Sequence, residues 1–188
     1  MLSGIGAGAE LQSFGISVIH DLPGVGKNLQ DHPDYVFNYR ARSPDLLGVS
    51  VAGALRLLKD IGRYRKDRTG MITSNGAEGG GFLRRFPDSP APDFQLHFVV
   101  GLIDNHVRKL HWGHGYSCHV CLLRPLSRGR LMLASKDPFA APLIDPDFLG
   151  VRDDMERLAG GFRLMQDLLK QPALARLGRR ETGPSTQA

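Results

Sequence analysis

Strict alternation of apolar and polar residues marks the clearest elements of the chain. In "DFQLHFVVGLI", Phe94, Leu96, Phe98, Val100 and Leu102 fall on one side and Gln95, His97, Val99 and Gly101 on the other. That period predicts a strand with one buried face. "DYVFNYRAR" repeats the pattern, with Tyr35, Phe37 and Tyr39 opposed to Asp34, Val36, Asn38 and Arg40. "YSCHVCLLR" reads as another strand, and "GRLMLAS" as its antiparallel neighbour across a Pro/Ser turn. Shorter strands are expected at "ISVIH" and within "GMITSNGAEGGGFLRR", where Asn75-Gly76 marks a turn and the glycines at 79–81 a bulge or a close backbone approach.

A period of 3.6 replaces alternation in two longer segments. Near 49–66, Val51, Leu55 and Leu58 form one stripe, while Arg56, Lys59, Arg63 and Lys66 form another that reads as a solvated face. The last helix is expected from about Asp153, with Glu156 as capping-box partner and Met155, Leu158, Phe162, Met165 and Leu169 as its buried stripe. Pro172 is expected to end it, and "ETGPSTQA" to fray. "GAELQSFG" reads as a short helix closed by Gly15, "DLPGVGKNLQDHP" as an ordered loop, and "DPFAAPLIDPDFLG" as an irregular connection. The fold class that follows is α+β, an antiparallel sheet of about five to six strands covered by helices. No alternating βαβ units follow residue 35.

The opening "MLSGIGAGAE" contains Gly4-x-Gly6-x-x-Ala9, the spacing of a dinucleotide fingerprint, and Asp21 lies near the distance of a ribose-binding acid. Only three residues precede Gly4, too few for the central strand that such a site requires. A glycine turn entering a short helix is therefore expected. The net charge of +5 leaves nucleic-acid binding through the basic helix as an alternative, but base-stacking aromatics are not interleaved with the charges. Cys118 and Cys121 form a CxxC around His119, and on a strand residues three apart face opposite ways. No metal site is expected from them, although His97, His106, His111, His114 and His119 cluster in sequence. Unpaired thiols suit a cytoplasmic protein. The chain has no apolar run of membrane-spanning length.

Four segments together resemble the glucose–methanol–choline (GMC) flavin oxidoreductases. They are "LSGIG", "DLPGVGKNLQDHP", "GYSCHVCLLRPLSRGRLMLAS" and "APLIDPDFLGVRDDMERLAGGFRLMQDLLKQPALA", in the family's order and covering nearly the whole chain. Within the family the likeness is greatest to bacterial choline and alcohol dehydrogenases. The resemblance implies an internal fragment: 1–32 as a remnant of the flavin domain and its connecting loop, 33–175 as the substrate-binding domain, and 176–188 as a flexible tail. The implied reaction is oxidation of a primary alcohol to the aldehyde, with hydride passing to FAD bound in the full-length protein. The family's catalytic histidine segment is not matched, so no catalytic residue is assigned to this chain. The fragment alone is expected to bind no FAD and to be inactive.

By the same resemblance Asp34 and His97 are candidate substrate-binding residues, Asp34 as the partner of a quaternary ammonium. Asn28 and His32 are candidate cofactor-proximal residues. Family members that take choline add an aromatic cage, and the sole tryptophan, Trp112, lies outside the helical region. A neutral alcohol is therefore favoured over choline. The expected partners are a small alcohol and the flavin domain of the same polypeptide, with the flavin-facing surface a candidate for self-association. The expected location is cytoplasmic, with a peripheral inner-membrane position open to the full-length protein. A stand-alone small-molecule binding module without redox activity is the competing reading.

Overall fold

The computed structural model describes residues 1–41, 43, 46–103, 111–177 and 180–182. In chain order its elements are β1 (Ile5–Gly6), α1 (Gly8–Ser13), β2 (His20–Asp21), β3 (Asp34–Ala41), β4 (Gly48–Val49) and α2 (Val51–Asp67). A 3₁₀ turn at Met71–Thr73 leads to β5 (Ala77–Leu83), β6 (Phe94–Val99) and β7 (Gly113–Leu122). Then follow β8 (Arg130–Met132), β9 (Leu143–Asp145), α3 (Arg152–Leu169), α4 (Pro172–Ala175) and β10 (Arg180–Glu181). The chain divides into two compact units, Met1–Pro33 with Arg124–Arg157, and Asp34–Leu123 with Leu158–Ala188. The first unit breaks off after Pro33 and resumes at Arg124. The second unit is interrupted, because 124–157 groups with the N-terminal residues.

In the first unit β1 and β2 pair in parallel, Ile5 with His20 and Gly6 with Asp21. The expected strand "ISVIH" is reduced to its last residue. Asp21, the residue at ribose-binding distance, accepts a hydrogen bond at 2.9 Å from the Gly8 amide at the start of α1. Its carboxylate thus lies on one of the amide groups that a phosphate would need. Gly4 turns the chain with φ +81°, and a Cβ there would lie 2.5 Å from the Ser17 carbonyl oxygen. The turn explains Gly4 without a bound phosphate.

Two expectations fail in the same unit. "GRLMLAS" does not pair with the cysteine strand: β8 pairs with β9, and β9 lies inside the segment expected to be irregular. The reason is the turn at Leu126 and Ser127, which Asp154 holds from the start of α3. Its carboxylate accepts from the Leu126 amide at 2.7 Å, the Ser127 amide at 2.8 Å and the Ser127 hydroxyl. The second failure follows from the first. With Asp154 turned inward and fully buried, Met155 points outward and is exposed rather than part of a buried stripe.

The second unit is built on an antiparallel sheet in the order β10-β3-β7-β6-β5, with β4 also pairing with β7. The expected α+β class with five to six antiparallel strands is the one observed. Tyr35, Phe37 and Tyr39 pair with Val120, Cys118 and Tyr116, and Val120 and Cys118 in turn with Leu96 and Phe98 on β6. That face carries the core, which includes Phe37, Phe94, Val120 and Leu122, and it is covered by Leu158, Phe162, Met165 and Leu169 of α3. Phe162 meets Phe37 at 4.9 Å and Tyr35 edge-on at 4.8 Å. The helix comes this close because position 161 is glycine; a Cβ there would lie 2.6 Å from the Phe94 ring. Pro172 does not simply end the helix but opens the short α4 at its first turn. Within the expected tail, β10 pairs with Tyr39 and Arg40, while 183–188 lie outside the described residues.

Candidate functional site

The opposite face of the sheet is polar. Register places Asp34 opposite Cys121, Val36 opposite His119 and Asn38 opposite Ser117, while His97 lies opposite His119 on the other side of β7. Residues paired in this way share a face. Cys118 belongs to the core face and Cys121 to the polar one, so the CxxC diverges as its strand period requires. The core environment pushes the Cys118 thiol up to about 12 through burial.

Two kinds of polar group occupy this face. Asn38 and Ser117 are engaged with the chain after β6. Asn38 donates to the Ile103 carbonyl at 2.9 Å, and the Ile103 amide donates to Ser117 Oγ at 2.8 Å. Ser117 Oγ also lies 2.7 Å from the Gly101 carbonyl. These bonds fix the backbone. On the core side of the same strand His114 is similarly engaged, with Nδ1 2.7 Å from the Leu46 carbonyl oxygen and Nε2 2.7 Å from Ser50 Oγ.

Asp34, His119 and His97 are different. Asp34 Oδ2 lies 2.6 Å from His119 Nδ1, and the His97 ring meets the His119 ring edge-on with centroids 6.1 Å apart. His119 Nε2 is buried with no hydrogen-bond partner among the described residues. Burial alone would raise the Asp34 pKa, but hydrogen bonds from His119 and Cys121, with the charges of His119 and His97, hold it below the ordinary carboxylate value. A carboxylate on Nδ1 fixes the proton there in the neutral ring and leaves Nε2 as an acceptor. In that neutral form Nε2, which is buried, is the ring's hydrogen-bond acceptor.

Of the residues singled out in the sequence, Asp34 and His97 thus share one polar face, joined through His119. Asn28 and His32 lie in the other unit. Asn28 adopts φ 60°, and the His32 amide donates to Asp31 at 2.8 Å. Trp112 is exposed, and His106 lies outside the described residues.

The GMC oxidoreductase family profile matches residues 125–188. Over 98% of its length the chain is 41% identical to an alcohol dehydrogenase [acceptor] of Pseudomonas putida, covering 33% of that protein. The chain belongs to the GMC oxidoreductase family. It is 37% identical over 92% of its length to an oxygen-dependent choline dehydrogenase of Acinetobacter baumannii, covering 31% of it. Among solved structures, formate oxidase of Aspergillus oryzae superposes on 96% of this GMC chain with a TM-score of 0.81 at 29% identity, again covering 36% of the larger protein. The chain therefore spans about one third of the length of the relatives it matches.

Proposed function

We propose that the chain is the substrate-binding part of an FAD-dependent GMC oxidoreductase that oxidises a primary alcohol to the aldehyde. The observation that carries this reading is the Asp34–His119 pair, with its buried, unpartnered Nε2, beside His97 on the polar face of the sheet. A bound alcohol would place its hydroxyl on His119 Nε2, with His97 beside it, and Asp34 would hold the ring in the tautomer that accepts. Asp34 is then a positioning residue.

This arrangement favours a neutral alcohol. An ammonium recognised by Asp34 would compete with a 2.6 Å contact that already engages the carboxylate. The relatives' names include both an alcohol and a choline dehydrogenase, so the names alone do not decide the substrate.

FAD, when bound, supplies the hydride acceptor. The residues of this chain do not fit as its pyrophosphate cradle, because Asp21 already occupies the amide of Gly8. We therefore assign FAD to polypeptide beyond this chain, and expect this chain alone to be inactive. The first unit supports that assignment through uncovered apolar side chains such as Ile19, Ile144 and Phe139, the last 95% exposed. Reduced thiols at Cys118 and Cys121 fit a cytoplasmic location.

The test is kinetic, in the FAD-loaded full-length enzyme. Asp34→Asn should lower kcat/KM for an aliphatic primary alcohol by about 1.5–3 kcal/mol, the range for a hydrogen bond to a charged group. Wild-type turnover of choline should be poor. Good choline turnover, lost selectively in Asp34→Asn, would instead assign Asp34 to a substrate ammonium.

A further inference from the structure

Helix α2 is turned inside out. A surface helix of a globular protein ordinarily buries its apolar stripe and exposes its charges. Here the only fully buried side chain is Asp60, 2% exposed, which accepts from the Met71 amide at 3.2 Å and pairs with Arg63 at 3.5 Å and Arg56 at 3.9 Å. At 100° per residue, Val51, Leu55 and Leu58 lie on the side opposite Asp60. They are 69%, 64% and 66% exposed. The helix is well made nonetheless. Ser50 Oγ caps it by accepting from the Gly53 amide at 2.9 Å, and Arg68 ends it in the left-handed conformation.

The border of the exposed stripe is basic. Lys59 and Lys66 fall along one edge and Arg65 along the other, all exposed. Residues 51–68 hold six basic and two acidic side chains, and one of the two acids is the buried Asp60. An aliphatic stripe bordered by one sign of charge is the pattern of a helix lying in a membrane interface, its leucines below the headgroups and its cations among the phosphates. Lysine and arginine stems extend the apolar surface while their charges stay in water. A protein partner is less well matched, since the stripe offers no aromatic anchor.

We propose that α2 docks the chain on an anionic membrane surface, with Val51, Leu55 and Leu58 inserted and Lys59, Arg65 and Lys66 on the lipid phosphates. The proposal is independent of the alcohol reading, because vesicle binding is measured without turnover.

The experiment is co-sedimentation of the FAD-loaded full-length enzyme with phosphatidylcholine vesicles, with and without phosphatidylglycerol. Binding is expected only to the anionic vesicles, and should fall steeply as salt is raised. Leu55→Ser with Leu58→Ser should weaken partitioning at least about tenfold, since each leucine withdraws a full apolar side chain from the interface. Lys59→Glu with Lys66→Glu should do the same through charge alone. These exposed substitutions should leave the circular-dichroism spectrum and the melting temperature unchanged. Absence of binding to anionic vesicles would overturn the proposal, as would equal binding to neutral ones or binding unaffected by either pair. A dimer or a nucleic-acid complex lost on the same substitutions, without vesicle binding, would assign the stripe to that occupant instead.

Discussion

Replacing Asp154 tests how the turn between the cysteine strand and β8 is held. Its side chain is fully buried, and the carboxylate takes the Leu126 amide, the Ser127 amide and the Ser127 hydroxyl. Alanine would strand the two amides. At about 1–3 kcal/mol for each buried donor left without a partner, Asp154→Ala should cost about 2–6 kcal/mol. The hydroxyl adds little, because it can rotate to another acceptor. Asp154→Asn keeps one acceptor oxygen but presents an NH₂ group to a donor, so it should cost less than alanine and more than 1 kcal/mol, to order of magnitude. Acid unfolding adds a second readout. Burial would raise this carboxyl, but the Ser127 hydroxyl, the two amides and the nearby Arg128 charge hold it below its ordinary value. A depressed folded pKa gives stability that is complete above the ordinary carboxylate value of about 3.9 and is lost as pH falls through the folded value. Urea unfolding at pH 7 and again below pH 4 should therefore show the gap between wild type and Asp154→Ala narrowing in acid. A variant within about 0.5 kcal/mol of wild type at pH 7 would refute this account of the turn.

Two further outcomes follow from the second unit. Gly161→Ala should destabilise by about 1–2 kcal/mol, because overpacking against the buried Phe94 ring exceeds the gain in helix propensity. Gly160→Ala, whose nearest contact is the Phe86 ring edge at 3.2 Å, should be near neutral; equal thermal shifts in the two variants would contradict the close approach at 161 alone. Cys118, with its thiol pushed up to about 12, should resist alkylation at pH 8 in the native chain and react on unfolding, as read by peptide mass spectrometry.

The strand periods carried most of the second unit. Alternation alone puts Asp34, His97 and His119 on the polar sides of their own strands. What it does not supply is the order β3-β7-β6, in which the last of the three strands in sequence lies in the middle of the sheet. Without that order His119 reads as the residue inside a CxxC, and its pairing with Asp34, 85 positions away in sequence, is invisible. The first unit was less legible because its strands are two or three residues long and depend on distant partners such as Asp154. Helix α2 misled in a different way. Its period was right, but the sequence does not say which stripe faces inward, and a buried aspartate reversed the usual choice.

In the proposed function the polar face bearing Asp34, His97 and His119 receives the alcohol. A crystal structure of the FAD-loaded full-length enzyme with a bound primary-alcohol analogue measures this directly. The analogue's oxygen is expected within hydrogen-bond distance of His119 Nε2, with Asp34 still on Nδ1. An analogue bound away from this face, or a polar face closed off by packed protein with no room for a ligand, would contradict it.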